Sequence, residues 1–140
     1  MIGPERWVEK YIRIPFVELG FDKEGCHCWG LVCFVYKKEL GIDLPKYDNI
    51  TADQIRAMLL AKDEQIKSGN WLPAVGPYQR MDVIVLTGAD DKGRNVERHV
   101  GLYAGNGYVL HVEKGTDSTC DHVDSIMFKQ RIRRAYRYVQ

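Results

Sequence analysis

An α+β fold, with N-terminal helices packed on an antiparallel sheet, is predicted by three features of the sequence. The first half of the chain carries apolar residues at helical spacing, and the second half switches to short segments rich in β-branched and aromatic residues. Helices first and strands afterwards argue against a βαβ repeat. The length of 140 residues and a 45% apolar composition suit one domain, 1–140, with one buried core, and no internal repeat or Pro/Gly/Ser-rich linker divides it.

The elements follow in order. Glu5–Ile12 reads as a short helix, then Pro15 opens an irregular stretch through Gly25. A second helix should start near Cys28 and stop at Gly41, since Gly favours the left-handed cap and Pro45 forbids continuation. A third starts at Thr51, where Thr51 and Gln54 form a capping box, and runs to about Lys67 on the stripe Ile55, Met58, Leu59 and Ile66, before Ser68-Gly69. Asp82–Thr87, Arg98–Ala104, Tyr108–Glu113 and Ala135–Val139 read as strands, with a weaker one near Val123. The polar segment Gly88–Glu97 reads as an exposed strand connection, with a lip over a cleft as its functional alternative.

Bulk properties exclude several classes. A formal net charge of +1 gives no general attraction to nucleic acid or to an anionic membrane. The basic cluster Lys129–Arg137 is interleaved with Ile132 and Tyr136, the pattern of a closing strand with a solvated face. No apolar run has the length of a signal peptide or of a membrane span, so cytoplasmic synthesis is expected, with no membrane partner. Cys26, Cys28 and Cys33 crowd together while Cys120 stands apart, which is not a disulfide framework.

Advancing about 100° per residue from Cys28 brings Leu31, Val32, Val35 and Glu39 to its face of the helix and leaves Cys33 off that stripe. A thiol at a helix N-terminus meets unpaired N–H groups and the positive end of the macrodipole, both of which favour thiolate and can hold an oxyanion. Further on, Gly105-Asn106-Gly107 is a hairpin signal between His99 and His111. If all three residues form the loop, Ala104 pairs with Tyr108 and Gly101 with His111. One face then carries Val100, Leu102, Ala104, Leu110 and Val112; the other carries His99, Gly101, Tyr103 and His111, with the imidazoles as diagonal neighbours and room beside Gly101 for another element. A two-residue loop would send the rings to opposite faces. A thiol and two adjacent imidazoles suit nucleophilic catalysis, one ring taking the proton and the other orienting it. The bland alternative is two half-buried strand histidines. A metal site of Cys26, Cys28 and His27 or His99 is disfavoured because adjacent Cys-His-Cys spacing is awkward for one tetrahedral ion, so neither metal nor cofactor is expected. Cys120 and His122 read as structural or exposed.

Gly25-Cys-His-Cys28-Trp-Gly-Leu-Val32, Gly41-Ile-Asp-Leu-Pro45 and Arg98-His99 through Leu110-His111 together resemble the NlpC/p60 cysteine peptidases, and Cys-Trp-Gly-Leu-Val is most similar to copies in phage tail-assembly proteins. Ile14-Pro15-Phe16, Met81-Asp82-Val83 and Tyr136-Arg137 extend the resemblance over nearly the whole chain. It implies a papain-like fold and hydrolysis of peptidoglycan stem peptides between D-glutamate and a diamino acid. It makes Cys28 the nucleophile, His99 the general base and His111 the orienting residue, and puts Phe16, His27 and Trp29 on the substrate-binding side. Two positions depart from the family: His27 replaces the usual Asp, and Phe16 replaces a Tyr whose hydroxyl is associated with substrate or oxyanion binding. A lost oxyanion donor can cost about 10²–10³-fold in rate. The expected partners are the stem peptide and phage tail-tip proteins, the tail carrying the enzyme to the wall. A structural tail module with vestigial activity, and a related hydrolase or acyltransferase acting on another amide or a thioester, are the competing readings.

Overall fold

A computed structural model describes residues 2–46, 71–89, 92–126 and 128–139. The predicted helix from Thr51 to Lys67 lies outside the described residues. The N-terminal helix forms over Arg6–Tyr11 as a 3-10 helix: with six residues and no side-chain cap, it closes into the tighter turn. Two short strands, β1 (Phe21–Asp22) and β2 (Gly25–Cys26), pair within the stretch expected to be irregular. Helix α1 follows at once, over Cys28–Leu40. It ends as the sequence predicts. Gly41 is left-handed at φ 68°, its N–H bonds the Lys37 carbonyl at 3.0 Å, and Ile42 N–H reaches back to Tyr36 O at 3.3 Å.

The second half is an antiparallel sheet built from β3 (Trp71–Pro73), β4 (Val83–Ala89), β5 (Asn95–Tyr103), β6 (Tyr108–His111), β7 (Thr119–His122) and β8 (Ile132–Tyr138), in the order β3-β8-β4-β5-β6-β7. The sequence pattern missed β3, a three-residue edge strand ending in Pro, which tolerates an edge because it has no N–H to donate. The basic C-terminal strand lies inside the sheet, and Arg137 forks onto the buried Asp82 carboxylate at 2.9 and 2.8 Å. Strands β4 and β5 extend into the segment read as a connection, β4 as far as Ala89 and β5 from Asn95.

Both faces of the sheet are covered. Val83, Val85, Val100, Leu102 and Leu110 pack against α1, while Ile84, Leu86 and Val109 pack against Phe128. Helix α1 is buried on more than the predicted stripe. Cys33 is also inside, because the chain after the helix folds back and Pro45 O accepts bonds from Trp29 Nε1 at 2.9 Å and from the Cys33 thiol at 3.7 Å.

One glycine fixes how closely this helix approaches the preceding turn. A Cβ on Gly30 would collide with the Gly20 carbonyl and lie 2.6 Å from His27 Nδ1. Neither neighbour can yield, since that carbonyl also receives the His27 amide at 3.3 Å and its ring at 3.0 Å. Gly30→Ala should therefore destabilise the protein by about 1–3 kcal/mol despite its better helix propensity. Denaturant unfolding of both forms measures this, and an unchanged midpoint would contradict the close approach.

Candidate active site

Cys28 is the first residue of α1 and is 3% exposed. His27, at the N-cap, makes no side-chain capping bond, so the first-turn N–H groups remain directed at the thiol end of the helix. Cys28 and His99 line one cleft of about 330 Å³, with Phe16, Gly88, Arg98, Glu113, Lys114 and Arg131 among the other walls.

The hairpin between β5 and β6 has the three-residue loop. Gly105, Asn106 and Gly107 all have positive φ (82°, 55° and 90°), and Leu102 faces Leu110 while Tyr103 faces Val109. Continuing that register sets Gly101 opposite His111 and His99 one diagonal step away. The two rings meet with His99 Nε2 at 2.9 Å from His111 Nδ1 and centroids 5.2 Å apart. His99 Nδ1 is thus the nitrogen left without a bond to His111. The space beside Gly101 is not taken by another element. A Cβ there would strike Val109 Cγ1 at 2.7 Å and His111 Cβ at 3.1 Å, so the glycine admits its own partner strand.

The same diagonal step recurs on the next strand pair. His111 faces Thr119 in β7, and Asp121, two residues on, places Oδ2 2.8 Å from His111 Nε2. Glu113 Oε1 lies 3.6 Å from His111 Nδ1 and 3.7 Å from His99 Nε2, and Arg131 Nη1 lies 3.2 Å from that same oxygen. Sequence reasoning missed all three. Alternation alone puts Glu113 on the face of His111, but Asp121 needed the register of a strand that the pattern placed near Val123.

Electrostatics amend the sequence expectation for the thiol. Burial pushes Cys28 up to about 11, outweighing the opposing backbone amides of Val100, Trp29 and Cys28 itself, with Glu113 adding to the rise. His99 is held well below the ordinary imidazole value by burial first, then by His111, Arg131 and Arg98. Both shifts favour the uncharged forms, a thiol and a neutral imidazole, in the same cleft.

His27 and Trp29 do not line the cleft, which corrects their assignment to substrate binding. Both are fully buried. His27 turns back under the helix to the Gly20 carbonyl and packs edge-on to Phe21 at 5.0 Å; Trp29 points into the core and bonds Pro45 O. Phe16 does line the cleft, held by a bridge to Cys26. His122 rests over Gly107 and against Tyr108, away from the cleft. Among the described residues, the group whose ligand atoms converge, within 4.8 Å of one another, is His99, His111 and Glu113, not the Cys-His-Cys segment.

The model of the NlpC/P60 family matches residues 13–137. The chain belongs to the NlpC/P60 family. The γ-DL-glutamyl hydrolase of Bacillus subtilis (strain 168) is 28% identical over 131 residues, covering 93% of this chain and 27% of that protein, so the chain spans about a quarter of its length. Among solved structures, the NlpC/p60 domain of the peptidoglycan hydrolase SagA matches with TM-score 0.57 at 21% identity, over 91% of this chain and 90% of that one. An NlpC/P60 protein from Bacillus cereus ATCC 10987 matches with TM-score 0.63 at 20% identity, over 93% and 37% of the two chains. The α+β architecture is therefore the NlpC/P60 fold. No helix of the described residues is long and apolar enough to cross a membrane.

For an NlpC/P60 domain with this cleft, alkylation of Cys28 by iodoacetamide should climb from neutral pH through pH 9 and beyond, without a plateau at pH 7. Cys28 should still react before Cys26 and Cys120, whose thiols are pushed up to about 12. Peptide mapping across pH tests both statements; full labelling at pH 6 would mean that the helix end prevails over burial.

Proposed function

We propose that residues 1–140 form a single cysteine endopeptidase domain that cuts peptidoglycan stem peptides between D-glutamate and a diamino acid, with Cys28, His99 and His111 as its catalytic residues. The observation that carries this reading is the cleft shared by Cys28 and His99, with His99 Nε2 held at 2.9 Å by His111 Nδ1. Family membership and the glutamyl hydrolase relative support the reaction class. The cleft walls include Arg98, Lys114 and Arg131 against Glu113 alone, a charge balance suited to a substrate bearing free carboxylates. Delivery by a phage tail rests on the resemblance of Cys28-Trp-Gly-Leu-Val32 alone.

In this mechanism His99 Nδ1 takes the Cys28 proton as sulfur attacks the scissile carbonyl carbon, and the oxyanion faces the first-turn amides of α1. Collapse of the tetrahedral species breaks the C–N bond, and His99 returns the proton to the departing amine. Water, deprotonated by His99, then hydrolyses the thioester to the free carboxylic acid and regenerates the thiol.

Mass spectrometry of purified peptidoglycan after incubation should show new stem-peptide termini with the wild type and none with Cys28→Ala. His99→Ala should lose about 10²–10⁴-fold, the usual share of general-base catalysis. His111→Asn should keep part of the activity that His111→Ala loses, since an amide can also hold the imidazole. Unchanged cutting by His111→Ala would remove the third residue from the mechanism.

Because the chemistry runs through sulfur and imidazole, chelation with EDTA should leave turnover intact, while thiol alkylation abolishes it. Loss of activity on chelation, restored by zinc, would instead put a metal on His99, His111 and Glu113.

A further inference from the structure

The proton positions on the two catalytic imidazoles are set from outside the triad. We propose that Asp121 is a positioning residue that fixes the tautomers of both His111 and His99, an inference that rests on the peptidase reading for its functional meaning. A carboxylate can only accept a hydrogen bond, so the 2.8 Å contact to Asp121 Oδ2 places a proton on His111 Nε2. In the neutral ring His111 Nδ1 is then bare. It accepts from His99 Nε2 across 2.9 Å, which puts the His99 proton on Nε2 and leaves Nδ1 unprotonated. Nδ1 is the atom the mechanism needs as base.

Without Asp121 the chain of bonds can run in reverse. His111 would donate from Nδ1 to His99 Nε2, and His99 would carry its proton on Nδ1, facing the thiol as a donor. The alternative carboxylate does not fix the direction: Glu113 Oε1 is 3.6 and 3.7 Å from the two facing nitrogens, beyond hydrogen-bonding reach, and is engaged by Arg131 at 3.2 Å. Among the described residues, the charged and titratable groups around the rings are Cys28 from α1, Asp121 from β7, Glu113 after β6, Arg98 in β5 and Arg131 before β8, and of these Asp121 is the one that bonds His111 at 2.8 Å. The geometry follows from register, since Asp121 sits one diagonal from His111 as His111 does from His99.

Long-range proton–nitrogen NMR of the protein labelled with ¹⁵N-histidine reads the tautomers directly, with no substrate present. The wild type should show both rings as the Nε2–H form. In Asp121→Leu, matched in size and unable to accept, mixed or reversed tautomers are expected, while Asp121→Asn, whose amide oxygen still accepts, should keep the wild-type pattern. On peptidoglycan fragments, Asp121→Leu should lower kcat by about 10–100-fold with KM little changed, and Asp121→Asn should recover most of it. Unchanged tautomers in a folded Asp121→Leu would overturn the assignment, as would a wild type whose His111 carries its proton on Nδ1. A shift of tautomers as described, in a wild type that cuts no stem peptide, would leave the positioning role standing and fail the peptidase reading instead.

Discussion

The site depends on one register, that of the hairpin closed by Gly105, Asn106 and Gly107. Three consecutive residues with positive φ are costly for side chains other than Gly and Asn, and here the sequence supplies those two types. The loop is tied down from two sides: Gly107 N–H donates to the Tyr103 hydroxyl at 2.8 Å, and Val123 N–H reaches Gly107 O at 2.8 Å. Because side chains alternate across a strand, losing one loop residue would move His111 into the space of Leu110, against α1, and leave His99 without its partner. The strongly apolar opposite face, Val100, Leu102 and Leu110, makes that slip costly, so the core that stabilises the sheet also enforces the contact of the imidazoles.

Burial and the helix terminus act on Cys28 in opposite directions. A partial positive charge at a helix end contributes about 0.3–1 kcal/mol when exposed, whereas burying an anion without a fixed counter-charge costs several kcal/mol. Buried and in contact with the backbone of Val100 in β5, the thiol is dominated by the second effect. The amides at the start of α1 only partly offset that effect at rest, and in the proposed mechanism they would act more strongly on the oxyanion and on the transient thiolate.

Much of this arrangement was legible in the sequence because it rests on local rules. Gly41 and Pro45 end α1, and Gly105-Asn106-Gly107 fixes the pairing that brings His99 to His111. Other parts were illegible for physical reasons. Helical spacing on its own cannot tell that Pro45 folds back over Trp29 and Cys33, which buries a second helix face and turns Trp29 away from the cleft. His27 was a plausible cleft residue by position, but the missing Cβ at Gly30 lets its ring tuck under the helix. Asp121 needed the register of a four-residue edge strand whose pattern is too short to fix its own phase.

The neutral resting pair and the carboxylate at the far end of the histidine chain belong together. In the proposed mechanism His99, on taking the thiol proton, would become an imidazolium in a buried place, with Arg98 and Arg131 already opposing a positive charge there. That charge is tolerable only if something negative is coupled to it. Glu113, 3.7 Å from His99 Nε2, is already shared with Arg131, and Asp121 adds a negative charge at two bonds' remove, through His111, without standing beside His99 and holding the proton permanently. A carboxylate in direct contact with His99 would favour the charged ring at rest; one placed behind a neutral imidazole stabilises it mainly when the proton arrives. In the proposed mechanism the thiol would then give up its proton only as the sulfur attacks a carbonyl carbon, the raised Cys28 pKa favouring the protonated form until that step.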